Sequence, residues 1–146
     1  MGWLRPSRLE REGQKVKIAV DTNILVRAAV RDEPEQTAAA IRLMGRADMV
    51  AIAVPSLCEF VWVLRSVYGF KSSDMGRAIR TLLAADNVET NRPVVDAGLA
   101  MLDAGGDFAD GVIAYEGRWL GAETFVSFDR KAVEMLKAQG EPARLL

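Results

Sequence analysis

Four acidic residues at the edges of apolar segments place the strongest constraint on how this chain can fold. They are Asp21, Glu59, Asp110 and Asp129. Asp and Glu side chains are almost never fully buried unless they are paired or bind a metal. Carboxylates at the ends or first turns of core elements therefore favour a fold that brings those ends to one shared pocket. Because crowded carboxylates repel one another, such a pocket is expected to bind a hard divalent cation, Mg²⁺ or Mn²⁺.

The apolar and turn signals along the chain alternate between strand and helix. Strands are predicted at 17–20, 49–54, 87–89 and 124–128, with a further edge strand at 143–146. Helices are predicted at about 32–45, 55–68, 72–85, 92–105, 107–121 and 130–139. The residues that follow Asp21 are predicted to form a loop, and Asp32 is predicted to cap the first of these helices. Strands that alternate with helices predict an α/β fold with a parallel sheet and helices on both faces.

This fold places all four acids where they can meet. In open α/β sheets, ligands bind at the carboxyl ends of the strands. Asp21 and Asp129 directly follow predicted strands. Glu59 and Asp110 lie in the first turns of predicted helices. All four side chains are therefore expected to face the same crevice.

Composition excludes several classes of site. The chain has 146 residues, 50% of them hydrophobic, and no histidine, which excludes a histidine base, a Ser-His-Asp triad and zinc sites with histidine ligands. The single cysteine, Cys58, cannot form an internal disulfide, so a reducing compartment, the cytoplasm, is expected. No apolar run reaches the roughly 18 residues that a transmembrane helix needs, and the N-terminus shows no signal-peptide pattern.

The N-terminal segment differs from the rest of the chain in charge. Residues 1–17 carry five basic and two acidic side chains, although the net charge of the whole chain is −1. The apolar pattern begins near Val16, so residues 1–15 are expected to be a disordered leader outside the domain, and residues 16–146 the domain itself. The alternative is an arm that binds phosphate.

Four segments carry a resemblance to a known family. They read VDTNILVRAAVRDEPEQTAAA, CEFVWVLRSVYGF, GGDFADGVIAYEG and FVSFDRKA, and together they resemble PIN-domain ribonucleases of the VapC toxin type over nearly all of residues 16–146. The resemblance implies a PIN-like three-layer α/β/α sandwich with a central, mainly parallel sheet of four to five strands. It implies an endoribonuclease that depends on Mg²⁺ or Mn²⁺, belongs to a type II toxin–antitoxin system, forms a homodimer and binds a cognate VapB-type antitoxin.

The resemblance also assigns site residues. The catalytic and metal-binding acids are the four named above, and Asn23 and Ser127 match polar positions that support them. Asp107 competes with Asp110, because Asp107 is the natural N-cap of its helix and Asp110 stands where a capping-box acid would stand. We expect Asp110 to bind the metal and Asp107 to cap the helix and support the site. Candidate phosphate contacts, for which a solvated role is equally compatible with the sequence, are Arg27, Arg65 and Arg130.

The chemistry of such a site predicts a mechanism and two alternatives. A bound cation lowers the pKa of water, and attack by water rather than by a 2′-hydroxyl predicts products with 5′-phosphate and 3′-hydroxyl ends. One alternative is a catalytically silent PIN-like module whose acids serve partner recognition. The other is a receiver-type phosphorylation switch, which would need a lysine near the end of a late strand. The segment around Ser127 has no lysine before Asp129, which disfavours the switch.

Overall fold

The computed structural model describes residues 16–146, so the prediction of a leader at 1–15 lies outside the described residues. Seven helices and five strands occupy the described part of the chain. The described residues divide into two compact units, with the boundary between Thr90 and Asn91. We call them the N-terminal unit and the C-terminal unit and describe each by itself. Within residues 16–146, no helix is both long enough and apolar enough to cross a membrane.

The N-terminal unit alternates strands with pairs of helices. Its elements are β1 (Lys17–Ala19), α1 (Thr22–Val30), α2 (Pro34–Arg46), β2 (Met49–Ala51), α3 (Val54–Ser66), α4 (Ser72–Leu83) and β3 (Val88–Glu89). The strands form a parallel sheet in the order β1-β2-β3, with Val50 opposite Ile18 on one side and Val88 on the other. The predicted parallel α/β arrangement is therefore confirmed. All three carboxyl ends lie at the same edge of this sheet, where residues that follow β1 and β2 come close together.

The core of the N-terminal unit is formed by apolar helix faces packed on the sheet. In α3 the buried residues Leu57, Phe60, Val61 and Leu64 recur at helical spacing, so one face of the helix is buried. The buried polar residue Asn87 precedes β3, and its Nδ2 donates hydrogen bonds to two carbonyl oxygens near the end of α2, at 2.8 and 3.1 Å. These bonds satisfy carbonyl groups that the end of α2 leaves without helical partners.

The C-terminal unit contains the remaining elements. They are α5 (Arg92–Asp103), α6 (Phe108–Trp119), β4 (Phe125–Ser127), α7 (Arg130–Ala138) and β5 (Ala143–Leu145). The predicted edge strand is present as β5, and it pairs with β4 in parallel, with Val126 opposite Arg144. Every described strand pair is thus parallel, but the N-terminal unit has a three-stranded sheet and the C-terminal unit a two-stranded sheet, whereas a single sheet of four to five strands was expected.

Two glycines allow α5 and α6 to approach closely. Phe108, the first residue of α6, is fully buried against Gly98 of α5; a Cβ on that glycine would lie 2.6 Å from the Cε1 atom of the ring. At Gly111 the backbone of α5 is the neighbour, and a Cβ there would lie 3.0 Å from the carbonyl carbon of Ala97. The close contact places Asp110, which precedes Gly111, on a helix held tightly by its neighbour.

The predictions for the first two helices are wrong in two places. The residues after Asp21 do not form a loop but the helix α1, because the Asp21 side chain caps it and apolar residues such as Leu25 and Val26 face the core. Asp32 does not cap α2: its carboxylate accepts a hydrogen bond from Arg27, and α2 begins without a side-chain cap. The sequence signal for a cap was present, but a partner in another element bound the carboxylate instead.

Candidate active site

Asp21 is held at the carboxyl end of β1 by its own helix cap. Its backbone is extended, with φ −85° and ψ 175°, and its Oδ1 accepts a hydrogen bond from the amide of Ile24 at 3.1 Å. A carboxylate at a helix N-terminus is also stabilised by the helix dipole. Because the cap uses Oδ1, the side chain is oriented and Oδ2 has no hydrogen bond within the described residues.

Glu59 is brought beside the same segment by a hydrogen bond that joins two helices. Thr22, which follows Asp21, donates from Oγ1 to Glu59 Oε2 at 3.0 Å, across 37 positions of sequence. Glu59 lies in the second turn of α3, which follows β2, and it is exposed. Thr22 is not among the site residues predicted from the sequence. The available signal was a hydroxyl residue directly after an acid that ends a strand.

In the C-terminal unit, Asp107 and Asp110 take different positions at the start of α6. Asp107 is the N-cap, as its position predicts, and its Oδ1 accepts a hydrogen bond from the amide of Ala109 at 3.0 Å. Asp110 lies in the first turn and is half-buried. Its pKa is raised above the ordinary value of an aspartate, first by burial and then by the charges of Asp107 and Asp129. The carboxylates of Asp107 and Asp129 are therefore close enough for their charges to disfavour ionisation of Asp110.

Asp129 is positioned by two local hydrogen bonds. Its backbone amide donates to Ser127 Oγ at 2.9 Å, and its Oδ1 accepts from the amide of Ala132 at 3.2 Å. The first bond fixes the turn after β4, and the second makes Asp129 the N-cap of α7. Ser127, which is predicted to support the site, contacts the backbone of Asp129 and not its carboxylate.

The four candidate acids lie within a region of the sequence that matches a known protein family. The sequence matches the PIN domain family over residues 18–136, from β1 into α7. The chain belongs to the PIN-domain family. A search of curated proteins found no match. PIN domains are generally nucleases, so the family relation supports a hydrolase that acts on nucleic acids.

The donors of this PIN domain fit a hard divalent cation in their chemistry. Within residues 16–146, no group of three acidic or cysteine side chains is arranged as a metal site. The chemistry of the separate donors still suits such an ion. Asp21, Asp107 and Asp129 each use Oδ1 for a cap, which leaves a second oriented oxygen, and Asp110 is crowded by carboxylates. Oxygen donors of this kind are those that Mg²⁺ and Mn²⁺ prefer.

The other predicted site residues differ in their surroundings. The Arg27 guanidinium donates to Asp32 Oδ1 at 2.7 Å and to the hydroxyl of Tyr68 at 2.8 Å, and its side chain is 19% exposed. This network joins α1, the α1–α2 loop and the end of α3, so it gives Arg27 a structural role in the N-terminal unit. Arg65 in α3 and Arg130 at the start of α7 are exposed, as a phosphate contact requires. Asn23 is also exposed, in the first turn of α1.

Proposed function

We propose that this PIN domain is an endoribonuclease that depends on Mg²⁺ or Mn²⁺ and hydrolyses RNA phosphodiesters with water. The observation that carries the proposal is the environment of Asp110. This carboxylate is half-buried, and its pKa is raised by burial and by neighbouring carboxylates, in a chain that belongs to a family of nucleases. A free carboxylate in such surroundings is unfavourable, and a bound divalent cation removes the repulsion. The metal ligands proposed are Asp21, Glu59, Asp110 and Asp129.

Three of these residues owe their proposed roles to the hydrogen bonds they make. A bound divalent cation supplies positive charge to the phosphodiester and lowers the pKa of water. Asp21 and Asp129 present oxygens whose orientation is fixed by their helix caps. Glu59 receives a hydrogen bond at Oε2 from Thr22, which leaves Oε1 to orient the attacking water and accept its proton. Attack by water leaves a 5′-phosphate on one product and a 3′-hydroxyl on the other.

The decisive experiment is cleavage of RNA by antitoxin-free protein, with Mg²⁺, with Mn²⁺ and with a chelator. Asp110→Asn should reduce cleavage by more than the roughly 10- to 100-fold that loss of an outer-shell partner costs. Asp96→Asn is the matched control, because Asp96 is an exposed acid in α5 of the same unit. Cleavage that persists in chelator, or a folded Asp110→Asn variant with normal activity, would contradict the proposal.

A catalytically silent PIN-like module is the second candidate. The observation that favours it is that Asp21, Asp107 and Asp129 each cap a helix, which accounts for these acids without a metal. In that case the acids serve partner recognition, and the wild-type chain cleaves no RNA at any Mg²⁺ or Mn²⁺ concentration although it still binds RNA or a protein partner. The same cleavage assay, combined with a binding assay on the same RNA, separates the two candidates.

We further propose that the nuclease is the toxin of a type II toxin–antitoxin system, as its resemblance to VapC-type proteins suggests. A carboxylate pocket that binds Mg²⁺ can also bind an arginine, whose planar fork matches carboxylates. An antitoxin segment that carries an arginine would therefore compete with the cation. Induced expression of the chain should stop growth, and inhibition by an antitoxin peptide should weaken as Mg²⁺ rises. Inhibition that ignores both Mg²⁺ and the peptide's arginine would place the antitoxin elsewhere.

The proposed homodimer is supported by large apolar residues that lie on the surface and outside the core. Four residues of α3 form its buried face. Trp62, within this helix, is 65% exposed, and Val67, which directly follows it, is 64% exposed. Large exposed apolar groups of this kind are common at protein interfaces. Light scattering should give the mass of a dimer, and Trp62→Ala should shift the equilibrium toward monomer. A monomeric wild-type protein at assay concentration would contradict this part of the proposal.

A further inference from the structure

Phe128 differs from the other phenylalanines of the chain in its exposure. Phe60 and Phe108 are fully buried, and the rings at positions 70 and 125 are half-buried, whereas Phe128 is 81% exposed. Exposed apolar residues are common singly, but this one directly precedes Asp129, a proposed metal ligand. The ring adds little to the core of the C-terminal unit, and it is accessible to a ligand.

Local structure fixes the outward position of Phe128. Within β4, Phe125 and Ser127 are half-buried and Val126 is exposed, as the alternation of strand side chains requires, and Phe128 is exposed in the bend that follows the strand. The turn is held because the amide of Asp129 donates to Ser127 Oγ at 2.9 Å and the Asp129 carboxylate caps α7. A ring on a fixed turn loses little conformational entropy when a ligand stacks on it.

We infer that Phe128 is a stacking platform for an unpaired RNA base next to the cleaved phosphate, an inference that rests on the proposed function. Asp129 is one of the proposed ligands of the cation that would bind the cleaved phosphate, so a side chain next to it in sequence is a candidate contact for the nucleotides that flank this phosphate. The face of a phenyl ring provides one, because every base has a π-face that stacks on it. Arg130, on the other side of Asp129 in sequence and exposed, supplies positive charge for a neighbouring phosphate.

The inference also defines the class of substrate. Bases inside a duplex are stacked and paired, so they cannot stack on a side chain unless they are first extruded. A nuclease that holds its substrate by Phe128 should therefore cleave single-stranded or loop RNA in preference to a duplex of the same sequence. Among single strands, contact through a π-face gives only a modest preference for particular bases.

The test compares substitutions of Phe128 with a control at an equally exposed aromatic residue. Trp119 is 77% exposed near the end of α6, nine residues from Asp110, which is about 13 Å along the helix. With a single-stranded oligoribonucleotide, Phe128→Ala should raise KM about 5- to 150-fold, the range expected for one lost base stack, with a smaller change in kcat. Phe128→Trp should restore KM, and Trp119→Ala should leave it unchanged.

Abasic substrates make the test specific to stacking. Removing the base that stacks should raise the KM of the wild type but leave that of Phe128→Ala unchanged, because that variant has already lost the contact. If every abasic position affected the two proteins equally, or if Phe128→Ala matched Trp119→Ala, the inference would be wrong. Stacking of 2-aminopurine in the same RNA quenches its fluorescence without cleavage. An uncleaved RNA with Phe128-dependent quenching would thus overturn the nuclease proposal alone, and cleavage without such quenching would overturn this inference alone.

Discussion

Gly111→Ala is expected to destabilise the protein, although the same substitution usually stabilises a helix. Gly in a helix interior is about 1 kcal/mol less favourable than Ala. At Gly111, however, a Cβ would lie 3.0 Å from the carbonyl carbon of Ala97 and 2.9 Å from Cγ of Met101, with the carbonyl oxygen of Ala97 closer still. Carbon atoms in ordinary contact are about 3.5–4.0 Å apart. Because the nearest atoms belong to the backbone of α5, no side chain can rotate to make room.

The size of the effect follows from the cost of separating two packed helices. Overpacking a core typically costs about 1–3 kcal/mol, and a backbone neighbour places Gly111→Ala toward the upper end of that range. After the gain of about 1 kcal/mol in helix propensity, the net loss should be about 1–2 kcal/mol. Gly117→Ala in the same helix is the matched control, since its Cβ would meet only Ala122 Cβ at 3.9 Å. That variant should be neutral or gain up to about 1 kcal/mol.

Urea unfolding followed by circular dichroism measures both variants on the same scale. The propensity gain is common to both, so the difference between their unfolding free energies isolates the clash, at about 1–3 kcal/mol. RNA cleavage should fall in Gly111→Ala as well, because Asp110 moves with the helix, and it should be unchanged in Gly117→Ala. Equal stability of the two variants would refute the close contact of α5 and α6 at this position.

Four further predictions test the site and its supports. Asp21→Asn should keep its fold, because Asn also caps helices, and should lose RNA cleavage; a folded variant with wild-type turnover would remove Asp21 from the site. Asp110→Asn should reduce cleavage far more than Asp107→Asn, which keeps the cap of α6; the reverse order would mean that the two roles are exchanged. Without divalent cations, Asp110→Asn should be more stable than the wild type at pH 7. Because the folded-state pKa of Asp110 is raised, its contribution to stability is present at low pH and lost as pH rises through that pKa, so the difference should vanish below about pH 4. Tyr68→Phe removes the hydroxyl that binds Arg27 and should lower the unfolding free energy by about 1 kcal/mol without changing cleavage, as urea unfolding and the RNA assay will show.

The parts of the fold that local signals determine could be predicted from sequence. Asp107 caps α6 as expected, and glycines close α3 and α7: Gly69 and Gly140 have φ of 67° and 81°, a conformation that favours glycine. The helix α1 was not predicted because the polar residues Asp21, Thr22 and Asn23 at its start are also typical of a turn. The division of the strands into two sheets could not be predicted, because strand patterns indicate a strand and do not name its partner.

The candidate active site, too, could be predicted from sequence only where local features determine it. Each candidate acid could be found because it stands at the end of a strand or the start of a helix, which are local features of the sequence. The hydrogen bond from Thr22 to Glu59 could not be found in this way, because the two residues are 37 positions apart. Nor could the network in which Tyr68 donates to Asp32 at 3.2 Å, across 36 positions. That network explains why Asp32, which has a strong local signal for a helix cap, instead accepts hydrogen bonds from Arg27 and Tyr68.

Asp110 is where stability and the proposed function oppose each other most directly. Asp21, Asp107 and Asp129 each stabilise a helix N-terminus, so a purely structural account explains why they are acidic. Asp110 makes no cap, is half-buried and has its pKa raised by burial and by two neighbouring carboxylates, all of which disfavour its charged form. An asparagine there would avoid this cost. If a divalent cation binds at Asp110, added Mg²⁺ must stabilise the wild type more than Asp110→Asn, since a ligand of the folded state raises its unfolding free energy. Equal stabilisation of the two proteins by Mg²⁺ would mean that the charge that Asp110 maintains at a cost to folding binds no cation, and the nuclease proposal would lose the observation that carries it.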